Sequence, residues 1–330
     1  MVEKLKDQFL KTKRFVYMIN VALIGYGYWG AKLARNFQNS EYFNLVSVYD
    51  KKKKRVDEAK NIFKRIQIYK NMGQLLDNKR IDLIIISTPT STHYKLAKQS
   101  ILSQKNVLVE KPLSLSLKEV KNLETLAKLK NKKIFVDYPF LFAGTIKYLK
   151  SVIENKKFGQ ILEIESYREQ APVRNDTNVL WDLGAHDVSI LTYLLRSQPK
   201  KINTFKKYNL KSKYYDSIHI NLKYNKNLNV VIKDSWISPT KIRLIKIKFK
   251  NAIIYCDENE SLYKIKIYRK NANKDWKKYK LEIPDLDLNE PLSIMTKYIY
   301  KSLKNNTNKL FENKFNVKVT SLLERIEKAK

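Results

Sequence analysis

Three groups of residues in this 330-residue chain have types and spacings suited to chemistry. The first is Gly25-Tyr26-Gly27-Tyr28-Trp29-Gly30, which follows the apolar run NVALI and opens the amphipathic stretch AKLARNF. Between a strand and a helix, Gly25 permits a tight turn, Gly27 lets the backbone approach a pyrophosphate, and Gly30 lets the helix press on the sheet. Free N–H groups and the dipole at the helix start then attract the anion. Tyr28 and Trp29 sit inside this loop and count as candidate cofactor contacts. Asp50 follows 20 residues after Gly30. There a carboxylate can accept from an adenosine ribose and repel a 2′-phosphate, which favours NAD over NADP, although Lys51 and Lys52 could tolerate a phosphate.

The second group stands at two strand ends: Thr88, Pro89, Thr92 and His93 after one, and Glu110-Lys111-Pro112 after another. Ligands of open α/β sheets lie beyond the carboxyl ends of the strands, so these residues should line the nicotinamide half of a crevice. Alone, Glu-Lys-Pro reads as a loop with a surface ion pair. Beside a cofactor, Lys111 becomes able to polarise a sugar hydroxyl. The third group is Asp182-Leu183-Gly184-Ala185-His186. On a regular helix, residues four apart share a face, and an Asp one turn before a His can orient the imidazole and raise its pKa for proton transfer. A surface pair or a helix cap is the plainer reading of this pair taken alone.

The elements that must position these groups follow from periodicity. Up to about residue 140, short apolar runs alternate with amphipathic stretches, the pattern of a parallel sheet with crossover helices. Strands are expected at 20–24, 44–49, 66–69, 82–87, 106–109 and 133–137, and helices at about 28–38, 54–63, 91–104, 116–130 and 141–155. Beyond 200 the period becomes two, as in YYDSIHINLKYN and KIRLIKIKFK, which signals an antiparallel sheet, with helices returning at 291–304 and 316–328. The expected fold is α/β, an N-terminal Rossmann doubly wound parallel sheet followed by an α+β domain with an open, mostly antiparallel sheet. The expected division is a basic extension over 1–18, a dinucleotide-binding domain over 19–140 and a substrate domain over 141–330.

Composition narrows the classes. A hydrophobic fraction of 43% excludes a disordered or collagen-like chain, and no apolar run is long enough to span a bilayer. One cysteine, Cys256, and three scattered histidines offer no disulfide and no recurring metal spacing, which points to a reducing cytoplasm and no metal. The net charge of +34 invites a nucleic-acid partner. It is declined, because 55 Lys against 11 Arg are strewn along the whole chain, and runs such as Lys51 to Arg55 read as a solvated face. Lysine is absent from 158 to 199, so that stretch should be buried, functional or both.

Together these motifs resemble the Gfo/Idh/MocA oxidoreductase family over most of residues 19–200. That resemblance implies that Lys111, Asp182 and His186 act at a substrate carbinol. More narrowly, GYGYWG, VEKPL, VDYPFLFAGTIKYLK and the block around NVLWDL are similar to the branch that oxidises UDP-N-acetylglucosamine or its uronate at C3 in surface-polysaccharide assembly. The branch implies substrate contacts at Arg168, Arg174 and Asn178, and a homodimer or homotetramer through the C-terminal sheet. Asp137-Tyr138 stands where relatives commonly carry His-Thr, and Gly184-Ala185 replaces a frequent Ala-Pro, so the identity of the sugar stays open. The expected activity is oxidation of a nucleotide-linked hexose with NAD. Reduction of a keto-deoxysugar nucleotide, oxidation of a free sugar or cyclitol, and an NAD-sensing regulator are the alternatives.

Overall fold

The structure, a computed structural model, describes residues 18–224, 228–270, 279–311 and 314–329. Of the extension over 1–18, only Met18 falls among them. The first half runs β1 (Ile19–Ile24), α1 (Tyr28–Gln38), β2 (Phe43–Tyr49), α2 (Lys53–Ile62), α3 (Met72–Asp77), β3 (Leu83–Ile86), α4 (His93–Leu102), β4 (Asn106–Glu110), α5 (Leu117–Leu129) and β5 (Ile134–Asp137). The five strands pair in the order β2-β1-β3-β4-β5, all parallel. With helices on both faces, β3 is apolar and buried at all four positions, as a central parallel strand must be. The strand order reverses between β1 and β3, and crevices for ligands open at such a switch point.

A short 3₁₀ turn at Pro139–Phe142 and α6 (Gly144–Glu154) lead into the second half. There β6 (Ile161–Glu169) precedes a widened π turn at Leu180–Gly184 and α7 (Ala185–Leu195). Then come β7 (Lys201–Lys207), β8 (Ser217–Lys223), β9 (Asn229–Ser235), β10 (Ile242–Phe249), β11 (Ala252–Asp257), β12 (Ile265–Lys270), β13 (Tyr279–Glu282), α8 (Pro291–Lys304) and α9 (Phe315–Lys328). The eight strands form one sheet, β13-β12-β11-β10-β6-β9-β8-β7, antiparallel except where β6 meets β9. Burial alternates along β9 and β10, so one face of each is packed and the other is wetter.

Two expectations need correction. Residues 66–69 form no strand, only a single bridge from Gln67 to Ser47, because one N–H from Gln67 to Val46 is all the pairing that the β2 edge receives there. Within the lysine-free stretch, β6 arises from ILEIESYRE and becomes a central strand of the second sheet, which periodicity did not single out.

The last two helices turn back onto the first half. Tyr300 on α8 stacks on Tyr42 at 4.6 Å, and Tyr298 meets Phe135 of β5 edge-on. Phe311 and Phe315 join Tyr138 in the same aromatic cluster. These rings cover the β5 edge, which would otherwise present unpaired backbone groups. On α9, Asn316 donates to Glu124 of α5 at 2.9 Å, whereas Glu327 accepts from Tyr215 at 2.6 Å and from Asn178 at 3.2 Å. One helix thus clasps both halves.

Candidate active site between the two sheets

The glycine loop has the conformation that its spacing predicts. Gly25 has φ +97°, and a Cβ there would lie 2.4 Å from the Ser87 carbonyl oxygen. A Cβ on Gly30 would lie 2.0 Å from the Gly25 oxygen, so only glycine allows α1 to seat against the β1 turn. Beyond this loop lies a cavity of about 580 Å³ lined by Gly25, Asp50, Arg55, Thr88, Pro89 and Thr92 among others. It opens at the switch point between β1 and β3 and is large enough for one arm of a dinucleotide. The residues present therefore fit a dinucleotide, with Gly25, Gly27 and Gly30 toward the pyrophosphate and Asp50 toward a ribose.

Not every expected cofactor contact faces that space. Tyr28 is 80% exposed, and its hydroxyl takes a hydrogen bond from Lys32, so it projects to solvent. Trp29 is half-buried and donates from Nε1 to the Asp137 carboxylate, tying α1 to the end of β5. His93 is buried, with Nδ1 2.8 Å from the Pro112 oxygen and Nε2 2.8 Å from the Thr88 oxygen. Both ring nitrogens face main-chain oxygens, and the single N–H of the neutral ring donates to one of them, so this histidine lies between the loop after β3 and the loop after β4. Thr88 and Thr92 share a hydroxyl contact at 2.6 Å that stiffens the same turn.

At the end of β4, Lys111 is buried and donates from Nζ to the Asp182 main-chain oxygen at 2.7 Å and to Asp182 Oδ1 at 3.1 Å. An ammonium has three donors, so one is left among the described residues for a substrate oxygen. Asp182 Oδ2 accepts from Trp236 Nε1 at 3.0 Å, and Arg174 Nη1 lies 3.6 Å from Oδ1. Burial pushes the Asp182 carboxyl up, but Lys111, Trp236 and Arg174 together hold it below its ordinary value. It is a carboxylate.

Asp182 does not orient His186, contrary to the helical spacing. Its carboxylate is already spent on Lys111 and Trp236, and the helix widens to a π turn between the two residues. His186 Nδ1 is buried and makes no hydrogen bond among the described residues. Its pKa is not raised but lies well below the ordinary imidazole value, through burial first and then the charges of Lys111, Arg168 and Arg243. The ring is held neutral, edge-on to Phe140 at 5.0 Å.

Arg168 is buried, and its guanidinium is turned to Asp187. It donates from Nε to Asp187 Oδ2 at 2.8 Å and stands 4.5 Å over the Phe140 ring, while Ser166 donates to Asp187 Oδ1 at 2.6 Å. The neighbouring Asp234 is buried, and burial followed by the Asp187 charge pushes its carboxyl well up. Asn178 is likewise turned to structure, accepting from the Trp181 N–H at 3.2 Å and donating to Glu327. Arg174, gripped by Asp176 through two bonds of 2.9 and 2.8 Å and partly exposed, remains able to meet a substrate.

Two further carboxyls sit at adjacent strand ends, Glu110 opposite Asp137 in the β4–β5 register. Burial, with Asp137 beside it, pushes Glu110 up to about 8 against the pull of Lys111. Burial also pushes Asp137 up to about 6, against Trp29 and Lys111. At neutral pH the pair carries little more than one charge. Sequence reasoning missed Trp236 and Arg243, which reach the site from strand ends far along the chain with no local spacing to mark them.

The site thus holds a fixed ammonium and a neutral imidazole, and a cavity with room for one arm of a dinucleotide opens at the β1–β3 switch point. Comparison with known proteins agrees. The family described as "Oxidoreductase family, NAD-binding Rossmann fold" matches residues 19–138, and the Gfo/Idh/MocA C-terminal domain matches residues 146–258. Myo-inositol 2-dehydrogenase of Thermotoga maritima is 26% identical over 191 residues, 56% of this chain and 57% of that protein. Glucose-6-phosphate 3-dehydrogenase of Bacillus subtilis is 25% identical over 194 residues, 54% of this chain and 55% of that protein. The chain therefore spans about half the length of these curated relatives. UDP-N-acetylglucosamine 3-dehydrogenase GnnA of Acidithiobacillus ferrooxidans shares the fold with a TM-score of 0.81 at 19% identity, covering 94% of this chain and 96% of that one. Matched in both halves by the family's two domains, the chain belongs to the Gfo/Idh/MocA oxidoreductases.

Proposed function

We propose that this protein is an NAD-dependent dehydrogenase that oxidises a secondary hydroxyl, at C3, of a nucleotide-linked hexose such as UDP-N-acetylglucosamine or its uronate. The observation that carries the reading is the contact of Lys111 with Asp182 beside a neutral His186, one group from each half of the molecule. When bound, the nicotinamide supplies the hydride acceptor. His186 takes the hydroxyl proton, and its depressed pKa means that the ring is free to do so at neutral pH. Lys111 turns its remaining donor to the same oxygen and stabilises the negative charge that develops there. Asp182 holds that ammonium in place, and Arg174 offers a guanidinium to an anionic substituent.

Oxidation at C3 is supported by the named activities of the glucose-6-phosphate and UDP-sugar relatives, and the anionic substrate by Arg174 and the basic chain. A dimer or tetramer through the outer face of the second sheet, where Tyr255, Tyr268 and Tyr279 line an open groove, completes the proposal, with the cytoplasm as its compartment. The inositol dehydrogenase relative favours a free cyclitol as the second reading.

The experiment is a substrate panel followed by nicotinamide absorbance: UDP-N-acetylglucosamine, its uronate, glucose 6-phosphate and myo-inositol, with NMR of the product. Turnover of a UDP-sugar to a 3-keto product supports the proposal. Turnover of myo-inositol alone would replace it with the second reading. NAD binding with no turnover of any sugar in the panel would favour a regulator.

A further inference from the structure

We propose that the carboxyl pair Glu110–Asp137 is the counter-charge for an oxidised nicotinamide ring, so that the protein holds NAD more tightly than NADH and releases a proton as NAD binds. The inference rests on the dinucleotide reading of the cavity at the β1–β3 switch point. Glu110 closes β4 and Asp137 closes β5, opposite each other in register. Ligands of an open α/β sheet lie beyond such strand ends. A nicotinamide that is to act on a carbinol held by Lys111 must also come close to Glu110, the residue before it. Asp137 is buried, its Oδ2 accepts from Trp29 Nε1 of α1, and its Oδ1 has no hydrogen-bond partner among the described residues. Glu110 is half-buried.

The groups that face this pair sort by charge. Lys111 and Arg174 are cations, and they repel a positive ring brought beside them. Asp182 is spent on Lys111, and Asp176 on Arg174. Tyr138 is pushed up by burial and by Glu110 and stays neutral, while the rings of His93 and His186 are held low and are neutral too. The negative charge left to offset the ring is that of Glu110 and Asp137. With Glu110 pushed up to about 8 and Asp137 to about 6, the pair keeps a proton near neutral pH that it can lose. Oxidised nicotinamide carries a positive charge that the reduced ring lacks, and in a poorly solvated site that charge drives the proton out to solvent. Once the ring is reduced the attraction ends, and the pair regains a proton from solvent. No electron passes through either carboxyl, and the substrate's hydroxyl proton still goes to His186.

The test uses the full chain and binding alone. Dissociation constants for NAD and NADH are read by tryptophan fluorescence from about pH 6 to about pH 9 in the unaltered protein, in Asp137→Asn and in Glu110→Gln/Asp137→Asn. The ratio of the NADH to the NAD constant should rise by roughly tenfold or more with pH in the unaltered protein. In Asp137→Asn, which keeps an acceptor for Trp29, Glu110 loses a repelling neighbour, so the rise should move to lower pH. In the double variant the ratio should be lower and flat. An indicator dye in weak buffer near pH 7.5 should report release of up to about one proton on adding NAD and none on adding NADH, a measurement on the unaltered protein that stands even where a variant fails to fold. Equal pH dependence or equal proton release for the two dinucleotides, or a double variant that keeps the unaltered slope, overturns the counter-charge and leaves the dinucleotide reading intact. Binding of neither dinucleotide removes both.

Discussion

Lys111 Nζ, carried at the end of a Rossmann strand, lies 3.1 Å from Oδ1 of Asp182 on a helix of the other half, with the side chains only 6% and 12% exposed. An ion pair so deeply placed joins the two halves at the atoms that would do the chemistry. Removing the ammonium leaves the buried Asp182 charge with only Arg174, 3.6 Å away, and Trp236 to offset it. Lys111→Met should therefore abolish turnover and also cost about 3–5 kcal/mol of stability. Adding Asp182→Asn should recover much of that stability and none of the turnover. Thermal unfolding with nicotinamide absorbance distinguishes the two effects.

His186→Ala should lower kcat by roughly 10²–10⁴ while dinucleotide still quenches tryptophan fluorescence. The acid limb of kcat/KM in the unaltered enzyme should lie below the ordinary imidazole value of about 6.5, because the native ring resists protonation. The same shift has a stability consequence. Since the unfolded chain takes the proton first, stability is full above about 6.5 and is lost as pH falls toward the native pKa. His93, also held low by burial, adds to the loss. A Tm that stayed flat across that window would contradict both.

Glu110 has the opposite sign. Its carboxyl is pushed up to about 8, so across neutral pH the native state keeps a proton that the unfolded chain has released, and stability falls as pH rises through that range. Glu110→Gln copies the protonated form. Its Tm should exceed that of the unaltered protein near pH 8, and the two should converge below about 4, where both forms of the chain are protonated.

Asp187 anchors Arg168 and Ser166 behind the reacting groups. Asp187→Ala leaves a buried guanidinium unpaired and should destabilise by about 3–5 kcal/mol in urea denaturation. Replacing Arg168 and Asp187 together by Met and Leu should be far milder.

Much of this was legible from the chain. The glycine loop, Asp50, Lys111 and His186 were marked by residue type and by their place at strand or helix ends, both of which are local properties. The helix of Asp182 and His186 was legible, but its π turn was not, because a widened turn is set by what packs against it rather than by periodicity. Arg168 and Asn178 were legible as important but not in role: burial turned one into a support for Asp187 and the other into a helix cap. Arg55 was hidden in a run that read as a solvated face. Only the fold shows that Asp50, five residues earlier, points back at it. Trp236 and Arg243 gave no signal, since their part depends on strand pairing over a long stretch of chain.

The helix over 315–328 holds α5 of the first half through Asn316 and the loop beside Asn178 through Glu327. It is the last described helix in sequence, so during synthesis this clasp is added only after the strands of both sheets have emerged. A nascent chain halted short of residue 315 would keep the Lys111–Asp182 ion pair but lack that clasp, and should hold its two sheets together less firmly.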